Sequence, residues 1–279
     1  MSAPTIAWFH CFSGVAGDMT LGALIDAGAD LDEIRSQCDR LPVDGWELQV
    51  EPVLRGGIAA TNVTVAAEES TVHRTAAHII GLVEEARLPD RVAGRAIATF
   101  QALADAEGRL HRRPPEQVHF HEVGGLDSII DIVGSCVALE LLDVDDVACS
   151  AIATGTGMVG SAHGPIPNPA PATVALLAGI PTYGTDSTIE LTTPTGAALM
   201  QVLATTWGPM PAMKVMASGF GAGDAKIDDR PNLLQVVLGE RDTEHSAGQP
   251  VTLLETNVDD ITGEQLADAV SALMAAGAH

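Results

Sequence analysis

From Pro114 to Met213 the chain contains no Lys or Arg, although ten acidic residues fall inside: Glu116, Glu122, Asp127, Asp131, Glu140, Asp143, Asp145, Asp146, Asp186 and Glu190. A buried carboxylate in this stretch has no neighbouring ammonium or guanidinium of its own segment to pair with. Whatever this stretch binds cannot be held by its own cationic side chains. The imbalance extends to the whole chain, with 14 Lys plus Arg against 37 Asp plus Glu and a formal net charge of −23. Nucleic acid and anionic membrane are therefore disfavoured as partners, since both need a basic footprint. An apolar fraction of 46% is too high for an unfolded acidic polymer. The 279 residues suffice for one large domain plus something small.

The N-terminus, MSAPTIAWFHCFSG, lacks a basic start and an apolar run long enough for export. No stretch approaches the roughly 18 apolar residues of a membrane span. Cys11, Cys38, Cys136 and Cys149 are scattered without CxxC spacing, so free thiols and a cytoplasmic location are expected.

Residues 5–11 form an apolar β-type run closed by the glycine loop FSGVAGD. Helical patterns follow from Met19 to Ala27 and from Leu31 to Leu41. Residues 46–66 alternate with period two around Arg55-Gly56-Gly57, which predicts a hairpin. Helices are expected near His73–Arg87 and over Asp90–Leu110, the second ended by Pro114-Pro115. VHFHEVGG reads as a short strand entering a loop, and LDSIIDIVGSCVALELL as a helix with its acids on one stripe. VACSAIATG is expected to be one buried strand, followed by a proline- and glycine-rich loop and the helix TVALLAG. In TTPTGAAL, Thr193 suits an N-cap and Pro194 the first helical position. Strands are expected near Met213–Gly219 and Asn232–Leu238. The result is a mixed α/β or α+β fold: a mixed sheet with helices in one large domain over residues 1–239. A polar linker spans 240–250, and residues 251–279 hold the first strand and helix of a second, small α/β domain.

His119-Phe120-His121-Glu122 is the most informative cluster. On a strand, residues two apart share a face, so both imidazoles would point one way with Phe120 opposite. Two such imidazoles with a carboxylate suit Ni²⁺, Zn²⁺, Fe²⁺ or Cu²⁺; the alternative is a polar strand end bonded to backbone. Asp127 and Asp131, four apart at the next helix start, share one helical face, where dipole compensation is the alternative reading. These five groups within thirteen residues would repel one another unless a cation sits among them. Ser13-Gly14-Val15-Ala16-Gly17-Asp18 lies between a strand and a helix, a place where backbone N–H groups can meet an anion, or where a tight turn is merely capped by Asp18. His163 sits in the stiff loop AHGPIPNPAP, and Thr193, Thr195 and Gly196 offer a second anion-receptive helix start. His10 is a candidate for pocket lining, whereas His73 and His78 are expected to face solvent.

The segments FSGVAGDMTLGALIDAG, VHFHEVGGLDSIIDIVG, AHGPIPNPAP, ELTTPTGAAL and ETNVDDITGE, in this order, resemble the LarC family of nickel-insertion proteins. The long VHFHEVGGLDSIIDIVG match is specific where HxHE alone is not. The resemblance implies a nickel chelatase, or cyclometallase, of the lyase class. It would insert Ni²⁺ into pyridinium-3,5-bisthiocarboxylic acid mononucleotide, forming nickel–carbon and nickel–sulfur bonds with CTP hydrolysis, to make the nickel-pincer cofactor of lactate racemase. It further implies CTP with Mn²⁺ or Mg²⁺ in a C-terminal domain, carried by the same or a separate chain, and a homo-oligomer. The sequence departs from the family pattern in having His10 where an aspartate is usual, and in a histidine insertion reduced to Val72-His73-Arg74 with His78 nearby. It also stops at His279, just inside the second domain, so an N-terminal part that does not itself turn over CTP is expected.

On this reading His119, His121 and Glu122 are the nickel ligands. Asp127 and Asp131, with Asp18, orient them or act as bases. Ser13, Gly14, Gly17, Thr193, Thr195 and His163 hold the mononucleotide. A non-catalytic nickel metallochaperone or scaffold, and a metal-dependent hydrolase using the same groups, are the alternatives.

Overall fold

The computed structural model describes residues 4–67, 74–118, 120, 125–161, 164–227, 229–241 and 259–277. The chain divides into two compact units, Met1–Glu244 and His245–His279.

In the larger unit, β1 (Thr5–His10) leads through the glycine loop into α1 (Gly17–Asp26) and α2 (Leu31–Cys38). Strands β2 (Trp46–Arg55) and β3 (Ile58–Ala67) form the expected hairpin. Gly56 and Gly57 carry φ of +59° and +82°, the left-handed pair that a two-residue turn between right-twisted strands demands. Helix α3 (Ala76–Glu85) starts later than its apolar pattern suggests, because Thr75 caps it by accepting from His78 N–H. Next come α4 (Asp90–His111), a 3-10 turn at Pro115–Gln117, and α5 (Leu126–Leu141).

The expected strand Val147–Gly155 is two strands. β4 (Asp146–Cys149) joins β1, whereas β5 (Ile152–Thr154) leaves the main sheet. Ser150 makes the break: its hydroxyl accepts from Cys11 N–H at 2.9 Å and donates to Ala151 C=O at 2.9 Å, standing in for a ladder partner. The proline-rich loop holds a hairpin of β6 (Met158–Ser161) and β7 (Gly164–Pro167), then α6 (Pro171–Leu176) and β8 (Thr182–Gly184), which pairs with β5. These strands of three or four residues are too short to show a period. Thr193 caps α7 (Pro194–Leu203) with Pro194 in its first turn, as expected. β9 (Thr206–Trp207), β10 (Met213–Ala222) and β11 (Leu233–Arg241) complete the unit. β11 runs two residues into the segment expected to be linker, and Arg241 pairs there with Asp146.

Seven strands form a mixed sheet in the order β2-β3-β10-β11-β1-β4-β9, parallel at β3/β10, β1/β4 and β4/β9 and antiparallel elsewhere. The side chains of β1 alternate accordingly. Ala7 and Phe9 enter the large core, while Ile6 and Trp8 join a small cluster on the other face. Helix α1 lies on β3, β10 and β11, and α5 packs on α1. Helix α5 is buried along most of its length through Ile129, Ile130, Ile132, Val133, Val137 and Leu139, with Asp127 exposed at its start and Asp131 and Glu140 only partly covered. Close approach of α1 to β10 depends on glycine: a Cβ on Gly221 would sit 1.8 Å from Met19 C=O, and one on Gly219 2.3 Å from Ala23 C=O. The start of α1 is thereby pressed against the end of the β3/β10 pair.

In the smaller unit, α8 (Gly263–Ala275) is the expected helix, opened by a capping box between Thr262 and Gln265. The strand expected over 251–260 falls mostly outside the described residues.

Candidate functional site

Three helices begin at one pocket of about 580 Å³. Gly17 and Asp18 come from the first turn of α1; Asp127, Ser128 and Asp131 from the start of α5; Thr193, Pro194 and Thr195 from the start of α7. Val63–Val65 of β3, Gly160, Glu190 and Asp224 close the rim. Among the described residues, five carboxylates and no Lys or Arg line this space. Two of the three helix starts already carry an acid in the first turn, which answers their positive dipole ends. The third is capped only by the neutral Thr193, which accepts from Gly196 N–H at 3.2 Å.

The convergence is built by backbone contact. Thr193 N–H donates to Val15 C=O at 3.1 Å. The Thr192 hydroxyl donates to Ala153 C=O at 2.7 Å and accepts from Val15 N–H at 3.3 Å. Gly14, at φ +87°, lies where a Cβ would come within 1.9 Å of Leu191 C=O, so only glycine fits. A Cβ on Gly196 would meet Val15 C=O at 2.2 Å. The two glycine-bearing helix starts thus clamp each other.

Electrostatics set the pocket's character. Burial first, then the charges of Asp224 and Asp127, pushes Asp18 up to about 6, against the opposing hydrogen bond from Met19 N–H. Asp131 is held well above the usual carboxylate range by burial and by Asp18 and Asp127, and its enclosed Oδ1 has no hydrogen-bond partner among the described residues. Carboxylates gathered this closely are stabilised by protons or by a cation. Among the described residues no three His, Cys, Asp or Glu side chains converge tightly enough to hold a metal by themselves. The described part is a cation-receptive pocket and not a closed ligand set.

Asp18, Asp127, Asp131, Gly17, Thr193 and Thr195, singled out from sequence, all line this pocket. His119, His121, Glu122 and His163 lie outside the described residues, as does His73. Val118 and Phe120 are not in a strand; Val118 C=O accepts from Ala76 N–H, Phe120 N–H donates to Arg74 C=O, and Phe120 is buried. His78 is exposed. Ser13 does not line the pocket: fully buried, its hydroxyl donates to Pro231 C=O at 2.8 Å. His10, expected at a pocket wall, stacks on Trp8 at a centroid distance of 4.9 Å and meets Phe12 at a tilt, 5.1 Å away. Sequence reasoning missed Asp224, which arrives through the β3/β10 pairing and is fixed by Asn62 Nδ2 donating to its Oδ1 at 2.9 Å. No local pattern marks it. It also missed Thr64, and it counted Glu190 only among the acids of the cation-free window.

All four cysteines are buried free thiols. Burial pushes Cys38 and Cys136 up to about 12, and Cys11 upward as well beside Cys149, whose Sγ lies 3.4 Å away. Cys11, Cys38 and Cys136 are therefore not activated nucleophiles.

Helices packed on a seven-stranded mixed sheet, with an acidic pocket where three of them begin, define a mixed α/β protein. The profile of the nickel insertion protein family matches residues 7–279. Over 279 residues the chain is 47% identical to a "Putative nickel insertion protein" of Roseiflexus castenholzii, a match spanning 99% of this chain and 70% of that one. A protein of the same name from Geotalea uraniireducens is 44% identical, over 98% and 70% of the two chains. The "Pyridinium-3,5-bisthiocarboxylic acid mononucleotide nickel insertion protein" of Staphylococcus epidermidis is 41% identical, over 97% and 68%. The chain belongs to the nickel insertion protein family. No solved structure matches it. No helix among the described residues is long and apolar enough to cross a membrane.

Proposed function

We propose that this chain inserts Ni²⁺ into pyridinium-3,5-bisthiocarboxylic acid mononucleotide in the cytoplasm, the acidic pocket being where metal and pyridinium ring meet. The observation that carries the reading is the convergence of Asp18, Asp127 and Asp131 from two helix starts in a pocket whose described lining holds no Lys or Arg. Its negative potential draws in both a divalent cation and a cationic ring. Asp131, with an enclosed oxygen that has no partner among the described residues, gains most from a metal's charge. Asp18, raised to about 6, is ionised at neutral pH yet basic enough to take a proton. Forming the nickel–carbon bond breaks a ring C–H bond: the electron pair goes to the metal and the proton to Asp18, which returns it to water. His119, His121 and Glu122 complete the nickel ligands on this reading, with His163 beside the mononucleotide.

CTP with Mn²⁺ or Mg²⁺ belongs to residues outside this pocket, because five carboxylates are a poor seat for a triphosphate. The test is to incubate the chain with Ni²⁺, the mononucleotide and CTP, alone and extended through a complete C-terminal domain, and follow the nickel adduct by absorbance and mass. Adduct formed by the extended chain and lost in Asp18→Asn supports the reading; no adduct with either overturns it. Stoichiometric Ni²⁺ release to a partner without adduct points instead to a metallochaperone.

A further inference from the structure

A second groove of about 580 Å³ lies between the β2–β3 turn and the loop joining β10 to β11, lined by Arg55, Gly56, Lys226, Arg230, Pro231 and Asn232 among others. Its character is opposite to that of the acidic pocket. Only 14 Lys and Arg occur in the chain, and three of them meet here, including one of its two lysines. Asp224 lines both spaces, so the basic groove and the acidic pocket adjoin across one residue.

The groove is built rather than incidental. Asn232, 7% exposed, donates from Nδ2 to Ala225 C=O at 2.9 Å and accepts at its own C=O from Gly223 N–H. The buried Ser13 hydroxyl holds Pro231 from below, and Arg55 Nε donates to Gly223 C=O at 3.3 Å. The described acids of the groove are engaged: Asp229 Oδ2 accepts from Arg230 Nε and Nη2 at 3.0 and 2.7 Å, and Asp224 is tied to Asn62. The two remaining cations are Arg55, a planar fork, and Lys226, an exposed point charge. With Arg230 matched by Asp229 and Asp224 still charged beside them, they leave one positive charge in excess to meet the roughly −1.5 to −2 charge of a phosphate monoester at neutral pH.

A mononucleotide carries such a phosphate beside a cationic ring, and five carboxylates repel it from the first pocket. Resting on the function proposed above, we propose that the Arg55–Lys226–Arg230 groove is the phosphate-monoester subsite, holding the substrate's phosphate while its ring reaches past Asp224 into the acidic pocket. The chain thereby separates cation and anion recognition into adjoining compartments.

Calorimetry with the pyridinium mononucleotide, its dephosphorylated nucleoside and Ni²⁺ tests this on the full chain. The expected result is a preference of at least tenfold for the mononucleotide, falling to near one in Arg55→Gln/Lys226→Gln/Arg230→Gln, with Ni²⁺ affinity within twofold of the original. An undiminished preference in that variant overturns the proposal while leaving the nickel reading intact. Lys226→Gln changes one exposed side chain and is expected to cut the preference about threefold; if the triple variant does not fold, an unchanged preference in Lys226→Gln overturns the proposal. If the chain binds neither mononucleotide nor nucleoside, the functional reading itself has failed. Ribose 5-phosphate against ribose then probes the groove alone: a preference lost in Lys226→Gln supports a phosphate site, and no preference overturns it.

Discussion

A Cβ on Gly17 would stand 2.7 Å from Oδ2 of Asp131 and 2.9 Å from Cγ2 of Thr195. The first residue of α1 thus sets the position of the carboxylate that α5 presents to the pocket, and the absence of a side chain at Gly17 is part of the site. Gly17→Ala is expected to displace Asp131, lowering Ni²⁺ affinity at least tenfold while costing about 1–3 kcal/mol of stability through overpacking. Calorimetry and urea denaturation on the same preparation separate the two effects.

The raised Asp18 carboxyl makes the metal-free protein sensitive to pH. A carboxyl lifted from 3.8 to about 6 holds its proton more tightly folded than unfolded. Its contribution to stability is fully present below about pH 4 and is lost as pH rises through about 6. Asp18→Asn is therefore expected to stabilise the metal-free protein by about 3 kcal/mol at pH 8 and to change little at pH 4. Urea denaturation at the two pH values checks the difference. Equal effects at both pH values would remove this account of Asp18.

Asn62 links the two compartments by holding Asp224. Asn62→Ala leaves the buried C=O of Ala222 without its side-chain donor and frees the Asp224 carboxylate. A loss of about 1–2 kcal/mol is expected, together with several-fold weaker binding of Ni²⁺. Asp224→Asn, which keeps a hydrogen-bond partner for Asn62, is expected to weaken Ni²⁺ binding with less loss of stability.

Much of this arrangement is legible in the sequence because its signals are local. Thr193-Pro194 states a helix start, Gly56-Gly57 a hairpin turn, and the spacing of Asp127 and Asp131 a shared helical face, all three of which occur in the structure. The stretch without Lys or Arg contributes Asp127, Asp131 and Glu190 to the acidic pocket. Asp224 was not legible, since only the pairing of Gly221 with Thr61 and Ala222 with Asn62 carries it to residues far earlier in the chain. The break at Ser150 was hidden for a related reason: an apolar run shows burial but not which sheet each half joins. Ser13 and His10 were singled out by position near the glycine loop, whereas packing turns one toward Pro231 and the other against two aromatic rings.

The thiols give an independent check on the core. With all four cysteines buried and Cys38 and Cys136 raised to about 12, the native chain is expected to resist alkylation at pH 8 over hours. All four should react within minutes in denaturant. Rapid labelling of even one thiol in the native chain would contradict the packing described for α2, α5 and the β1/β4 pair.

The central claim is that nickel enters at the acidic pocket where α1, α5 and α7 begin. The most direct measurement is anomalous diffraction at the nickel edge from crystals soaked in Ni²⁺, for the native chain and for Asp18→Asn/Asp127→Asn/Asp131→Asn. The account predicts one strong peak at that pocket, within coordinating distance of Asp131, and its loss in the variant. A nickel peak elsewhere with the pocket empty, or an undiminished pocket peak in the variant, would contradict it.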